Sequence, residues 1–418
     1  MKITILGATL QAGVLAGVFS ENGHQVTWCP NHATPVLPIH YQDDVVNQLL
    51  NKQIQSGFLS LKPLDQLSAE QDVFLFSYRA TEIEQAVKVA EKISQLLNYH
   101  PKLMINSSTF GLYGTDKLKQ ILTGYTWAYL PDVIQEGNAV NSFSQAKQII
   151  VGVDSDLATD LVQELLRPIF QFKQQYLFMP ILDAEFTKLS ISGMLATRIS
   201  YMNDLALVSE KLGIDILNVQ QGLATDSRIG AAYLSAGVGF GGENFSHDIL
   251  TLSSTVSGTG VNSQLLEQVW DINEQQKEIL FRKLWNHYHT ELNGKIVAIW
   301  GASFKENTSS IHNAPIHVML EALWAQGVIV HLHDPQALGE IRKMYGQRND
   351  LVLFEDQYQT VQSADALCLM TAWKQYLSPD FQRLKALMQQ TFILDGRNVY
   401  NPDYVKAQGF SYAGVGRV

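Results

Sequence analysis

The clearest chemical signal in this sequence is a glycine-rich block near the middle of the chain. Four glycines fall within six residues in Gly237-Val238-Gly239-Phe240-Gly241-Gly242, directly after a helical pattern. Because glycine has no β-carbon, the backbone of such a loop can approach a ligand closely. A purely structural loop rarely needs so many glycines. The block therefore predicts a ligand-binding segment, the glycine loop (residues 237–242).

A second candidate site is the opening turn, Gly7-Ala8-Thr9-Leu10-Gln11-Ala12-Gly13. A dinucleotide fingerprint has glycine at its first, third and sixth places, for the tight turn, the approach of the diphosphate and helix packing. Those places hold Gly7, Thr9 and Ala12. Since the Thr9 side chain stands where the phosphate approaches the backbone, a dinucleotide must bind more loosely or in a shifted position. A structural βα turn and a cofactor site both remain open.

The end of the second predicted strand bears on the same question. About 20 residues after the turn, where an acid holds the adenosine ribose, the sequence reads Cys29-Pro30-Asn31. There is no acid at this tip, and no arginine that indicates a 2′-phosphate. The choice between NAD and NADP therefore stays open.

The pattern of apolar runs indicates the elements that position these residues. A strand over Lys2–Leu6 and a helix to Glu21 begin the chain, and further short runs alternate with helical stretches, which predicts a mainly parallel sheet covered on both faces. The predicted strands are Gln25–Cys29, Val73–Ser77, Leu103–Asn106, Trp127–Leu130 and Gln148–Asp154. This first α/β domain is predicted to span residues 1–180.

The remaining chain divides into a helical middle and a second α/β domain. Ala184–Leu212 carries apolar residues at helical spacing with Gly213 as its stop, and residues 181–290 show no convincing strand run. The alternation then resumes with runs at Lys295–Trp300, Val328–His333, Ala366–Met370 and Phe392–Leu394. We expect two Rossmann-like doubly wound domains, the second at residues 291–418, joined by a helical segment.

Composition excludes several classes of function. The net charge of −10 and the lack of a positive run disfavour a nucleic-acid partner. The two cysteines, Cys29 and Cys368, lie in apolar runs, which disfavours a disulfide framework or a cysteine metal site. Without a signal-peptide pattern or an apolar stretch of spanning length, we expect a soluble, cytoplasmic protein without a membrane partner. The His287 and His289 pair is interpreted as surface residues, so no metal is expected.

Motifs along the whole length resemble the UDP-glucose/GDP-mannose dehydrogenase family, whose members oxidise the C6 alcohol of a nucleotide sugar to the acid with two NAD. Besides the opening turn and the glycine loop, the matching segments are Pro131–Gly137, Ala184–Lys188, Asp226–Gly230, Phe304–Thr308, Ala314–Pro315, Asp334–Pro335, Asp395–Arg397 and Tyr412–Arg417. Their order and spacing carry the resemblance.

The resemblance implies roles for five polar residues. Lys188 matches the lysine that stabilises the developing alkoxide, and Asp248 matches the aspartate that takes the proton with an ordered water. Glu136 and Thr109 match groups that position hydrolytic water. Ser192 stands where an asparagine hydrogen-bonds the oxyanion, and serine remains a donor. From the residues alone, a solvated lysine, a helix-capping aspartate and a surface glutamate are the alternatives.

One position departs in a way that changes the expected chemistry. The family captures its aldehyde intermediate on a cysteine, and the matching position here is Asn244. An amide is not a usable nucleophile, and neither cysteine of this chain lies near the loop in sequence. Unless another group substitutes, the thioester route is closed.

The other departures fall on the cofactor side. Arg228, Gly241, Gly242, Lys305 and Arg397 match positions that hold the phosphate and sugar of the nucleotide sugar. The cofactor residues implied by the match are Gly7, Thr9, Leu10, Ala12, Asn31 and His312, of which His312 replaces an arginine.

Two hypotheses follow from this pattern. The first is an NAD- or NADP-dependent oxidoreductase that stops at the aldehyde or oxidises its hydrate. The second is a catalytically impaired protein that binds a nucleotide sugar such as UDP-glucose in a regulatory or scaffolding role. The resemblance also implies a homodimer, with Arg228 reaching into the partner's site.

Overall fold

The computed structural model describes residues 1–30, 41, 43–67, 70–97 and 102–417, which form two compact units, Met1–Ile191 and Ser192–Val418. The boundary between the units lies within one helix, Ile181–Leu212. That helix ends before Gly213, whose φ of +69° suits a helix stop, as predicted. The three-part division at residues 180 and 290 stays a prediction.

The first unit is built on a parallel-dominated sheet. Within its described residues the strand order is β3-β2-β1-β4-β5-β6-β7-β8, and only the β6–β7 pair is antiparallel. The strands are β1 (Lys2–Leu6), β2 (Gln25–Cys29), β3 (Leu59–Leu61), β4 (Val73–Phe76), β5 (Leu103–Asn106), β6 (Trp127–Tyr129), β7 (Ile149–Val153) and β8 (Tyr176–Pro180). The helices are α1 (Leu10–Glu21), α2 (Asp44–Gln55), α3 (Ile83–Leu96), α4 (Gly114–Lys119), α5 (Ala139–Ser144), α6 (Asp156–Leu166) and the start of α7 (Ile181–Leu212).

The second unit begins with helices and ends with another parallel sheet. Its helical part comprises the rest of α7, α8 (Ile216–Thr225), α9 (Glu243–Gly258), α10 (Leu265–Gln276) and α11 (Ile279–His287). The sheet contains β9 (Ile296–Trp300), β10 (Ile329–His333), β11 (Leu351–Leu353), β12 (Ala366–Leu369), β13 (Phe392–Asp395) and β14 (Ser411–Gly414) in the order β11-β10-β9-β12-β13-β14. Its helices are α12 (Pro315–Ala325), α13 (Leu338–Tyr345), α14 (Gln357–Thr360), α15 (Phe381–Leu387) and α16 (Pro402–Ala407).

Both sheets reverse their strand order at one point, between β1 and β4 in the first unit and between β9 and β12 in the second. In open parallel sheets, ligands bind outside the carboxyl ends of the strands at such a reversal. The central strands β4, β5, β12 and β13 are buried at every residue, because helices cover both faces. The prediction of two doubly wound α/β domains is confirmed.

The two cysteines lie in buried strands and the paired histidines lie on the surface, as the sequence predicted. Cys29 ends β2 and Cys368 lies within β12, both buried and free. His287 and His289 are both exposed. In the described ranges, no helix combines the length and the apolar character needed to cross a membrane.

Candidate functional site

The turn between β1 and α1 has the geometry that the first fingerprint glycine predicts. Gly7 adopts φ +105°, and a β-carbon there would overlap the carbonyl oxygen of Ser77. The Gly7 N–H donates to the Cys29 carbonyl at 3.1 Å, and the Trp28 indole donates to the Gly7 carbonyl at 2.9 Å. The chain can therefore make this tight turn only with glycine at position 7.

The Thr9 side chain is turned toward the start of α1. Its hydroxyl oxygen accepts a hydrogen bond from the Ala12 N–H at 3.0 Å and lies 2.5 Å from the Ser77 hydroxyl. Thr9 follows β1 and Ser77 follows β4, so the pair sits where the strand order reverses. The Tyr41 hydroxyl also donates to the Thr9 carbonyl at 2.8 Å. Thr9, which replaces the second fingerprint glycine, thus occupies the Ala12 N–H, a backbone donor at the start of α1.

The remaining cofactor positions of this unit are only partly described. Leu10 is the first residue of α1, and its side chain is half-buried. Pro30, at the tip of β2, is buried, while the predicted Asn31 lies outside the described residues.

Three predicted catalytic residues belong to the first unit. Thr109 is buried and follows β5, and Glu136 is half-buried and follows β6, so both lie at the same edge of the sheet as Thr9 and Ser77. Lys188 lies in α7 with 7% of its surface exposed, so its alternative as a solvated lysine is wrong.

Glu185, one helical turn before Lys188, connects the start of α7 to the start of α4. Its carboxylate accepts hydrogen bonds from the Tyr113 N–H at 2.8 Å, the Thr115 N–H at 2.9 Å and the Thr115 hydroxyl at 2.6 Å. Burial raises the pKa of Glu185 even though these bonds favour the ionised form. The contacts fix the helix segment that carries Lys188.

The second unit joins two other catalytic candidates. The Ser192 hydroxyl donates to Asp248 Oδ2 at 2.7 Å, and both residues are buried, at 8% and 1% exposure. Asp248 lies inside α9, so its alternative as a helix cap is wrong. The one proton of the Ser192 hydroxyl is directed at the carboxylate in this arrangement.

Asn244 is exposed in the first turn of α9, immediately after the glycine loop. Neither cysteine is in a comparable environment. Burial raises the pKa of the Cys29 thiol to about 12 and also raises the pKa of Cys368. Both thiols therefore stay protonated and weakly nucleophilic near neutral pH.

The glycine loop packs against three segments of the C-terminal sheet, and each contact needs glycine. An added β-carbon at Gly237 would lie 2.9 Å from the Gly396 carbonyl oxygen, and one at Gly241 would lie 2.6 Å from the Asn313 carbonyl oxygen. Gly242, at φ +98°, would place its β-carbon 3.1 Å from the Phe304 ring. The loop is therefore close to the segments that carry the predicted His312, Lys305 and Arg397.

His312 and Lys305 lie in two of these segments. The His312 carbonyl accepts from the Gly242 N–H at 2.8 Å, while its side chain is exposed. The half-buried Lys305 ammonium lies 5.4 Å from the centre of the Phe304 ring.

Arg397 connects the carboxyl ends of three strands at the reversal point of the second sheet. It follows β13, and its guanidinium donates to the Met370 carbonyl after β12 at 2.6 Å and to the Phe304 carbonyl after β9 at 3.0 Å. Burial lowers its pKa from the ordinary arginine value. Two of its five N–H groups are thereby used, and the group is held in one orientation.

Arg228 lies on the surface of the second unit. Its side chain is 87% exposed and forms a two-point ion pair with Asp226, at 3.0 Å and 2.7 Å. The hydrogen bonds from Arg228 lower the pKa of Asp226. The residues after Arg228 are held by α7, because the Arg198 guanidinium donates hydrogen bonds to the carbonyls of Ile229 and Gly230.

Sequence reasoning missed several polar residues that support these segments, namely Tyr41, Ser77, Asn203, Asn273, Gln276 and Lys277. Asn273 and Gln276 continue the buried face of α10 that begins at Val269. Their helical spacing from Val269 was the sequence signal that could have identified them as buried polar residues. Among the described residues, no group of three or more His, Cys, Asp or Glu is placed to hold a metal ion.

The chain is similar in sequence and in fold to known proteins. A profile of the UDP-glucose/GDP-mannose dehydrogenase family's central domain matches residues 182–275, and a profile of its UDP binding domain matches residues 298–402. A UDP-glucose 6-dehydrogenase of Pseudomonas aeruginosa is 30% identical over 445 residues, covering 100% of this chain and 98% of that protein. A UDP-glucose 6-dehydrogenase of Bacillus subtilis is 30% identical over 439 residues, covering 100% and 93%. A solved UDP-glucose dehydrogenase from Pyrobaculum islandicum has a similar fold, with a TM-score of 0.87, 22% identity and coverage of 100% and 98%.

Proposed function

The chain belongs to the UDP-glucose/GDP-mannose dehydrogenase family, and we propose that it oxidises the C6 alcohol of a nucleotide sugar such as UDP-glucose and releases the aldehyde. Membership follows from the identity of 30% over the whole chain, which confirms the resemblance carried by the motifs. Members of the family are nucleotide-sugar dehydrogenases that use NAD. The single observation that carries the finer proposal is the burial of Lys188 and Asp248, in a chain whose motif resemblance matches Asn244 to the family's cysteine.

The first unit contains a turn that fits NAD in most respects. The strand reversal between β1 and β4 and the Gly7 conformation suit a dinucleotide, whose diphosphate binds at the start of the following helix. The Thr9 hydroxyl competes with the diphosphate for the Ala12 N–H. We therefore assign the diphosphate to the amides of Leu10 and Gln11 and expect weaker binding than a Gly-x-Gly turn provides.

The oxidation of an alcohol to an aldehyde removes one hydride and one proton, and NAD when bound accepts the hydride. The chain itself must accept the proton and stabilise the alkoxide that develops. We assign the proton to Asp248, whose carboxylate is already oriented by Ser192. We assign alkoxide stabilisation to the Lys188 ammonium, whose segment Glu185 fixes. Buried charges of this kind act strongly because water screens them little.

The second oxidation needs a nucleophile that attacks the aldehyde, and Asn244 does not provide one. The thiols of Cys29 and Cys368 are buried within strands and protonated, so they do not replace it. Release of the aldehyde is then the expected end of the reaction. Water positioned by Glu136 and Thr109 is the remaining route to the acid, through the aldehyde hydrate.

On the substrate side, we assign the sugar and diphosphate to the glycine loop, Lys305 and Arg397. Gly237 contacts the Arg397 segment, and Gly242 contacts Phe304 next to Lys305. Two cationic groups and a close backbone are suited to a diphosphate, even in a chain of net charge −10.

The direct test is incubation of the purified protein with UDP-glucose and NAD, followed at the absorbance of reduced nicotinamide and by mass spectrometry of the sugar nucleotide. We expect one NADH per sugar converted and an aldehyde that a hydrazine reagent captures. Two NADH per sugar and an acid product would support the hydrate route. No NADH with UDP-glucose or other UDP-sugars, with NAD or NADP, would contradict the enzymatic proposal.

A catalytically impaired nucleotide-sugar-binding protein is the second candidate. It is favoured by the contact between Thr9 and Ala12, which removes one of the backbone donors at the start of α1 from a bound diphosphate. Separate calorimetric titrations distinguish the candidates, because this alternative requires UDP-glucose binding without NAD binding.

We also propose a homodimer formed through α7. In the second unit this helix exposes Met194, Tyr201 and Val208, at 63%, 53% and 49%, and their spacing of seven residues places them on one stripe. A second copy of the same helix offers a matching apolar surface. Light scattering tests the state, and a monomer at micromolar concentration would contradict it.

A further inference from the structure

The backbone of the glycine loop is paired by buried amide side chains instead of by a neighbouring strand. Asn273, which is fully buried, accepts from the Phe240 N–H at 2.7 Å and donates to the Phe240 carbonyl at 3.2 Å. Gln276 donates to the Gly237 carbonyl at 2.6 Å, and Asn203 accepts from the Gly237 N–H at 2.9 Å. Both ends of the Gly237–Phe240 segment are therefore held by side chains from α7 and α10.

Lys277 extends this support to the turn that carries His312 (the His312 turn, residues 311–314). Its ammonium donates to Asn313 Oδ1 at 2.7 Å and to Glu274 Oε1 at 2.8 Å, while its side chain is only 2% exposed. Asn313 in turn donates to the Ser246 hydroxyl at 2.9 Å. Since the His312 carbonyl also accepts from the Gly242 N–H, the loop, the turn and the start of α9 form one bonded network.

The loop needs this support because its own sequence provides little. Glycines contribute no side-chain packing and lose more backbone entropy on ordering than other residues. A loop that is not ordered beforehand must be ordered by its ligand, which lowers the affinity. Burial of a lysine also costs free energy, and burial lowers the pKa of Lys277.

We propose that Asn273 and Lys277 are positioning residues that hold the glycine loop, directly and through the His312 turn, in the geometry that binds the nucleotide sugar. The proposal rests on the proposed function of the loop. Neither residue needs to touch the ligand, because each acts through backbone or Asn313 contacts. Loss of either is expected to weaken nucleotide-sugar binding. NAD binding should stay unchanged when Asn273 is lost, because its bonds to the loop are to Phe240 and not to the turn that carries His312.

The test uses two variants and a matched control of the full-length protein. Asn273→Asp removes the donor to Phe240, and Lys277→Met removes the bonds to Asn313 and Glu274. Lys283→Met is the control, because Lys283 is also a largely buried lysine, paired with Glu210 at 2.6 Å but outside the network. UDP-glucose and NAD are titrated separately by calorimetry, and hydrogen–deuterium exchange follows the amides of residues 237–245.

The expected result is a dissociation constant for UDP-glucose raised about tenfold in both variants, with faster exchange in residues 237–245. The dissociation constant for NAD should not change in Asn273→Asp, and both constants of the control should match those of the wild type. Lys277→Met serves alone if Asn273→Asp fails to fold. Unchanged UDP-glucose affinity or unchanged exchange in the folded variants would overturn the positioning role. If the wild type binds no UDP-glucose, the proposed function fails instead, and the exchange of the loop still decides whether these residues order it.

Discussion

Replacement of Thr9 by glycine tests directly whether the first unit contains a cofactor site. Thr9 has φ −67° and ψ 161°, an ordinary extended conformation, so its side chain is tolerated without strain. Its hydroxyl binds the Ala12 N–H at 3.0 Å and the Ser77 hydroxyl at 2.5 Å. Thr9→Gly therefore removes both bonds and frees the Ala12 N–H for a phosphate oxygen.

Thr9→Gly should lower the stability of the protein and raise its affinity for NAD. Glycine is itself an acceptable N-cap and costs only about a few tenths of a kcal/mol, while the bond to Ser77 contributes about 1 kcal/mol, so stability should fall by about 1 kcal/mol. A backbone donor to a charged phosphate is stronger than one to a hydroxyl, by about 1 kcal/mol net. NAD affinity should therefore rise about fivefold.

The assay is calorimetric titration of NAD combined with urea unfolding followed by tryptophan fluorescence. Thr9→Ser keeps the hydroxyl and should bind NAD as the wild type does. Ser155→Gly removes an equivalent cap, where the hydroxyl accepts from the Ala158 N–H at 3.2 Å, and should lower stability without changing NAD affinity. An NAD affinity for Thr9→Gly no higher than that of the wild type would refute the assignment of the diphosphate to the start of α1.

Three further predictions concern the missing nucleophile, the thiols and the oligomer. Asn244→Cys should raise the yield from one NADH per sugar to two and give acid product, and an unchanged yield would show that position 244 is not beside the reacting carbon. Burial raises the pKa of Cys29 to about 12 and also raises the pKa of Cys368. Iodoacetamide at pH 8 should therefore alkylate neither thiol in the native protein and both thiols in urea. Rapid alkylation of the native protein would contradict their burial. Met194→Glu should convert the proposed dimer to a monomer, as measured by light scattering. Met344 is exposed to a similar extent on α13, and Met344→Glu should leave the dimer intact. Equal behaviour of the two variants would argue against the α7 stripe.

The sequence by itself determined the two sheets and most of their strands. Apolar runs such as Val73–Phe76 and Ala366–Leu369 are buried on both faces, and such runs are continuous in sequence and easily identified. The pattern did not predict β3, β8, β11 and β14, and all four are edge strands. An edge strand has a partner on one side only and is partly exposed, and β3 and β11 are only three residues long, so no long buried run marks these strands in the sequence.

The sequence also identified the family, because this depends on residue type and order along the chain; the match of Asn244 to the family's cysteine stays a prediction. Tertiary structure decided what the polar side chains do. The Thr9 hydroxyl binds the start of its own helix, Ser192 binds Asp248, and Arg397 is held by two carbonyls. The support of the glycine loop by Asn273 and Lys277 was likewise invisible, because a hydrogen bond between residues more than thirty positions apart depends on how the helices pack and not on local sequence.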